Sequence, residues 1–229
     1  MADSIQGAVH GLGREGPLVR RSVGEGVADH IRRLVFFGEL RDGERVPQRE
    51  IAQALGVSSV PVREALAALQ REGVVTIEPN RGAFVNGLDA DVVTEQFLLF
   101  GRIYGHATRV ATVRGEPAVI SALSALAERI QKERDLDALL EQSIQFQNLI
   151  VQKGGSKRLR ALLPPLSRLV PGNFYVTIPG SAEAARHGAA EMAKAIASGE
   201  PDLAERACWR LMDEIGELVA RRFRERERA

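Results

Sequence analysis

The segment Leu40–Ile77 constrains the fold more than any other part of the chain. Its centre reads Gln48-Arg49-Glu50-Ile51-Ala52-Gln53-Ala54-Leu55-Gly56-Val57-Ser58-Ser59-Val60-Pro61-Val62-Arg63-Glu64-Ala65-Leu66, two helical apolar patterns separated by Gly-Val-Ser. Gly56 suits the left-handed residue that follows a helix end. Ser58 or Ser59 can cap the second helix, and Pro61 falls in its first turn, where a missing N–H does no harm. A second helix that opens on small polar residues and carries Arg63 one turn in has the makeup needed to enter the major groove of DNA.

The flanks extend this motif. Periodicity predicts a first helix over about Gly24–Phe37, with Val27, Ile31, Leu34 and Val35 on one stripe, stopped by Gly38 and the Asp42-Gly43 turn. A short helix follows over about Gln48–Leu55, then a longer one to about Glu72, which Gly73 ends. Val74–Glu78 and Gly82–Val85 read as two strands around Pro79-Asn80-Arg81-Gly82. Helix, helix, turn, helix and hairpin together spell a winged helix-turn-helix over residues 22–87, preceded by an aperiodic arm at 1–21.

Past Gly87 the pattern becomes helical throughout. The spacing predicts helices over Asp89–Arg114, Pro117–Lys132, Leu136–Gln152, Ser156–Val170, Ala182–Ala197 and Asp202–Arg224. The expected fold is therefore mostly α, a winged head followed by an all-α antiparallel bundle over 88–229. Phe174–Ile178 stays ambiguous between strand and helix. The run Arg221-Arg222-Phe223-Arg224-Glu225-Arg226 reads as a solvated, fraying helix end rather than a nucleic-acid arm.

Composition narrows the function classes. The 229 residues include one cysteine, Cys208, so no internal disulfide forms and a reducing cytoplasm is the expected compartment. No apolar run approaches the roughly 20 residues of a bilayer span. Net charge gives no help: residues 1–87 hold 11 arginines, no lysine and 11 Asp plus Glu, which sum to zero. A basic footprint must then come from arrangement. Catalysis finds no support, because the chain lacks Gly-x-Ser-x-Gly, a phosphate-cradling glycine loop and His-Glu-x-x-His.

The reading head supplies the candidate DNA contacts. Arg63 can bond guanine bidentately, and the hydroxyls of Ser58 and Ser59, beside Val60, can reach phosphate or base edges. Arg49 can clamp a phosphate. Asn80, Arg81 and Gly82 form a hairpin tip with a cation at its apex, suited to a minor groove or backbone. The plainer reading pairs Arg63 with Glu64 or Glu72 and leaves Arg49 and Arg81 solvated. Val62, Ala65, Leu66 and Leu69 read as core.

These residues resemble the GntR family of bacterial transcription regulators, in its FadR-like branch. The likeness rests on Gly38-Glu39-Leu40 with Asp42-Gly43, Ile51 through Val57, Pro61 through Leu66, Arg71-Glu72-Gly73-Val74-Val75 and Asn80 through Val85. The second half looks like the shorter, six-helix FCD effector domain. The resemblance implies a cytoplasmic homodimer that binds double-stranded DNA at a palindromic operator. It further implies a repressor whose affinity is set by a small organic-acid effector. A winged-helix adaptor that binds protein rather than DNA is the alternative.

Two departures from the family stand out. Ser59 occupies a position where the family usually has an arginine, although Arg49 and Arg63 match its DNA-contacting positions. Many members also hold a divalent metal with one aspartate and three histidines. Here Ser143 and Gln147 take the first two places, Ala189 stands near the third with His187 displaced, and Leu211 takes the last. A chain without those ligands is expected to need no metal or other cofactor. Arg102 matches a family arginine suited to an anion, and with His106, Ser143 and Gln147 it makes the expected effector set.

Overall fold

The computed structural model describes residues 22–227. The expected arm at 1–21 lies outside the described residues. Ten helices and one hairpin follow in order among those described: α1 Val23–Phe37, α2 Gln48–Ala54, α3 Ser59–Arg71, β1 Val75–Glu78, β2 Gly82–Val85, α4 Ala90–Arg114, α5 Pro117–Lys132, α6 Leu136–Gly154, α7 Lys157–Ser167, α8 Phe174–Thr177, α9 Ser181–Ala197 and α10 Pro201–Glu227.

The head folds as its pattern dictates. Ser22 caps α1 in a full capping box with Glu25, and Gly38 closes the helix at φ 78°. The stripe Val27, Ile31 and Val35 is buried against Val62, Ala65, Leu66 and Leu69 of α3. Gly56 sits at φ 64°, so the turn between α2 and α3 is made without a Cβ penalty. β1 and β2 pair antiparallel, Val75 opposite Val85 and Glu78 opposite Gly82. Arg45 adds a single bridge to Phe84, laying the α1–α2 connection along the hairpin.

The bundle is built round α4, which packs most extensively on α10 and also on α6 and α7. Its core includes Tyr104, Leu123, Leu139, Ile150, Met192 and Ile215. α4 and α6 cross so closely that a Cβ on Gly154 would stand 1.7 Å from the Ala107 carbonyl oxygen, which only glycine permits. Two prolines inside α7, Pro164 and Pro165, remove helix-forming N–H groups, and the helix ends at Ser167. Phe174–Thr177 is one helical turn rather than a strand. No strand among the described residues lies beside it, and Asn173 accepts a hydrogen bond from the Tyr175 N–H to start the turn.

Head and bundle meet in a third, smaller core. Phe36 of α1 packs with Ala90 and Val93 of α4, Leu169 and Ile178, and Val219, Ala220 and Phe223 of α10. The Phe36 and Phe223 rings meet edge to face at 5.4 Å. Arg226 donates to the Phe36 carbonyl at 3.0 Å. The end of α10 is thus docked under the head, contrary to the expected fraying tail, because its one aromatic residue has an apolar seat. Asp42 accepts from the Gly87 N–H at 2.7 Å and fixes the joint from the other side.

Candidate nucleic-acid interface and effector cleft

In α3 the buried residues recur at 62, 65, 66 and 69, which turns Val60, Arg63, Glu64 and Ala67 outward at helical spacing. Val60 is 52% exposed, unusual for a valine, and Ser58, Ser59 and Arg63 are exposed beside it. Ser58 is the N-cap residue, yet its hydroxyl makes no capping bond. The first amides of α3 and that hydroxyl are therefore uncommitted, an arrangement that favours an anion.

Arg63 forms no ion pair with any described residue. The plainer pairing with Glu72 does not occur, because Glu72 accepts hydrogen bonds from Arg32 Nε and Nη2 at 2.8–3.0 Å. Arg49 is exposed at the start of α2 and likewise makes no ion pair with a described residue. At the hairpin tip Asn80 adopts φ 62° and Gly82 φ 114°. Arg81 is not simply solvated, for it pairs with Glu78 and lies 5.5 Å from the centre of the Phe84 ring. Arg45, which the sequence reading passed over, reaches Gly82 closely enough that a Cβ there would lie 2.8 Å from its Nε. The signal was in Gly82, a residue chosen where another group must approach the backbone.

The zero net charge of residues 1–87 hides a sorting of the head's charges. Glu25 pairs with Arg168 of the bundle, Asp29 and Glu72 surround buried Arg32, and Asp42 holds Gly87. These acids are spent on the bundle side of the head. Arg45, Arg49 and Arg63 remain exposed without acidic partners among the described residues.

The bundle carries an open-sided cleft of about 700 Å³. Ser143 and Gln147 of α6, two of the four expected effector residues, line it. Arg102 and His106, the other two, do not line it. They lie on the face of α4 opposite the cleft-lining Phe97 and Phe100, since Arg102 follows Phe100 by roughly 200° round the helix. Arg102 is exposed and stacks over the Trp209 ring at 4.0 Å; His106 is exposed one turn on. Tyr104 is core. Ser143 Oγ is buried and makes no hydrogen bond of acceptable geometry, although the Tyr175 hydroxyl stands nearby. Burial raises the Tyr175 phenol above its ordinary value, so it remains a neutral donor.

The family's metal does not fit these residues. Ser143 and Gln147 offer neutral oxygens and an amide, while Ala189 and Leu211 are buried hydrocarbon, Leu211 lying against Gly188. His187 is 73% exposed and faces Glu191 at 3.9 Å. No group of three His, Cys, Asp or Glu side chains capable of holding an ion occurs among the described residues. Cys208 is fully buried, and burial pushes its thiol far above the ordinary range, which makes it inert packing rather than a nucleophile.

Comparison with known proteins decides the family. The bacterial gntR regulatory protein family matches residues 23–85, and the FCD domain matches residues 102–214. An uncharacterised HTH-type transcriptional regulator of Mycobacterium tuberculosis is 31% identical over 182 residues, covering 80% of this chain and 75% of that protein. The chain belongs to the GntR family. It is a DNA-binding transcription regulator with an FCD effector domain, not an enzyme. The transcriptional repressor NanR of Klebsiella aerogenes is 32% identical over 96 residues, 42% of this chain and 37% of NanR. In fold, the GntR-family chain resembles E. coli McbR/YncC, with a TM-score of 0.63 at 18% identity, covering 89% of this chain and 99% of that one. Homodimers are typical of the family, and no described helix is long and apolar enough to cross a membrane.

Proposed function

We propose that the protein is a cytoplasmic repressor that binds a palindromic operator as a homodimer and is regulated by a small organic acid bound in the FCD cleft. One observation carries the DNA side of this reading: Glu25, Asp29, Asp42 and Glu72 are engaged where the head meets the bundle, while Arg45, Arg49 and Arg63 stand without ion-pair partners among the described residues on exposed elements. Arg63, Ser58, Ser59 and Val60 form the major-groove edge, with Arg49 on a phosphate. Arg81 and Asn80, at the Gly82 hairpin, follow the backbone or minor groove. Arg81 must exchange Glu78 for phosphate to do so. Repression is supported by the likeness to NanR, and the effector assignment by Ser143 and Gln147 in the cleft.

Fluorescence anisotropy with genomic fragments at two salt concentrations tests it. Salt-sensitive binding to a palindromic fragment is expected. Arg63→Ala should weaken that operator by about 1–3 kcal/mol while leaving the dimer intact. Unchanged affinity would remove Arg63 from the reading edge, and no salt-sensitive binding would leave a protein-binding adaptor instead.

A further inference from the structure

The cleft does not belong to the bundle alone. Beside side chains of α4, α6, α8, α10 and the segment after α7, its wall includes Asp29, His30, Arg32 and Arg33, all on α1 of the DNA-binding head. Its two ends differ in chemistry. The bundle end is apolar and aromatic, with Phe97, Phe100, Ile144, Phe174, Met212 and Ile215. The head end carries three arginines, Arg32, Arg33 and Arg168, against one aspartate, Asp29.

The three cations are not equivalent. Arg32 is buried and saturated by Glu72 and Asp29. Arg168 leans on Glu25 at 3.8 Å. Arg33 makes no ion pair with any described residue, and it stands exposed at the cleft wall. Beside it, burial holds His30 below the ordinary histidine value, and Arg33 lowers it further against the opposing Glu39. An unpaired cation at the rim of a concave, mostly apolar cleft raises the local concentration of anions there.

We propose that the cleft takes an amphipathic organic anion end-on, its apolar body among the bundle's aromatic side chains and its negative group on Arg33 of the head. This rests on the effector reading above and adds that the ligand touches the DNA-binding head itself. A volume of about 700 Å³ accommodates a body of two or three rings or a medium acyl chain. A guanidinium is well shaped for a carboxylate or sulfonate. Such a ligand bridges the two halves directly. It strengthens the docking already made by Phe36 with Phe223 and by Arg226, and shifts the head through its differential affinity for the docked arrangement.

Two fluorescent probes with one scaffold test this on the full-length protein: 8-anilino-1-naphthalenesulfonate, an anion, and N-phenyl-1-naphthylamine, its uncharged counterpart. The wild type should bind the sulfonate about tenfold more tightly than the amine, the order expected of one charge-assisted contact. Arg33→Ala should abolish that preference and leave amine binding unchanged, which also shows that the variant is folded. Arg33→Lys should restore part of it. Ile144→Trp, filling the cleft, should weaken both probes. In hydrogen exchange the sulfonate should protect α1 amides in the wild type but not in Arg33→Ala. Equal binding of the two probes by the wild type overturns the proposal, as does a sulfonate preference that survives Arg33→Ala or sulfonate binding that survives Ile144→Trp. Operator binding measured without probe stands apart: its presence with a failed probe test removes only the bridge, and its absence removes the regulator.

Discussion

In the head, Glu25, Asp29, Asp42 and Glu72 are engaged on the side that faces the bundle, and Arg45, Arg49 and Arg63 of the outer side have no ion-pair partner among the described residues. In the bundle, ion pairs sit on the outer surface, among them Lys153 with Glu116, Arg210 with Glu191 and Arg224 with Glu217, and the bundle's share of the cleft wall carries one charge, Arg168. Every charged residue of the cleft except Arg168 comes from α1. The contrast shows a division of labour. On the proposed reading, the charged contacts to DNA and ligand come from the first third of the chain, whereas the last two thirds supply apolar and neutral polar walls and a seat for the head.

The joint between the two regions offers the sharpest way to break this contrast. Phe223→Ala should cost about 3–5 kcal/mol in urea unfolding, as for a fully buried phenylalanine, and should accelerate hydrogen exchange around Phe36. A loss under about 1 kcal/mol would show that head and bundle share little energy through that ring. Next in size is Glu72→Gln, which leaves the buried Arg32 guanidinium with Asp29 alone. A loss of about 2–3 kcal/mol is expected in the same measurement. A neutral result would mean that this acid is not needed on the bundle side.

Helix caps separate structural from recognition roles. Ser22→Ala removes a formed capping box and should cost about 1 kcal/mol of stability. Ser58→Ala removes no capping bond and should leave the melting transition within about 0.5 kcal/mol of wild type, with any effect appearing in operator affinity. If Ser58→Ala destabilises the protein as much as Ser22→Ala, the hydroxyl is structural after all.

The smallest effect concerns His30. Burial and Arg33 hold its pKa below 6.5, so the folded chain favours the neutral ring more than the unfolded chain does. Its contribution to stability is complete above pH 6.5 and is lost as pH falls through the lower folded value. His30→Gln should therefore flatten the stability profile on the acid side of 6.5. A profile unchanged by the substitution would show that the cleft wall does not restrain this ring.

Local signals made the head legible. Gly56, Gly73 and the Pro79–Gly82 turn punctuate it, and apolar spacing assigns Val62, Ala65, Leu66 and Leu69 to the core without any knowledge of neighbours. The bundle helices were legible as elements for the same reason. Which face of each looks into the cleft was not. Arg102 and His106 share a face with each other, but α6 and the α7–α8 segment pack across α4 on the side of Phe97 and Phe100. The α10 tail was misread because its partner, Phe36, lies 187 positions earlier, and no periodicity within the tail reports it. The cleft's cationic end was hidden similarly: Arg33 looks like any solvated helix residue until the bundle is folded beside it.

The clasp between α1 and α10 also sets an order of assembly. Arg226 reaches the Phe36 carbonyl across 190 positions, so this contact forms only after α10 has been synthesised. At ordinary translation rates, about 7–30 s separate the emergence of Val85, which completes the head's own apolar core, from that of Phe223. For that interval the nascent head has its arginines and its interior but no brace, and its acids on the bundle side await their covering.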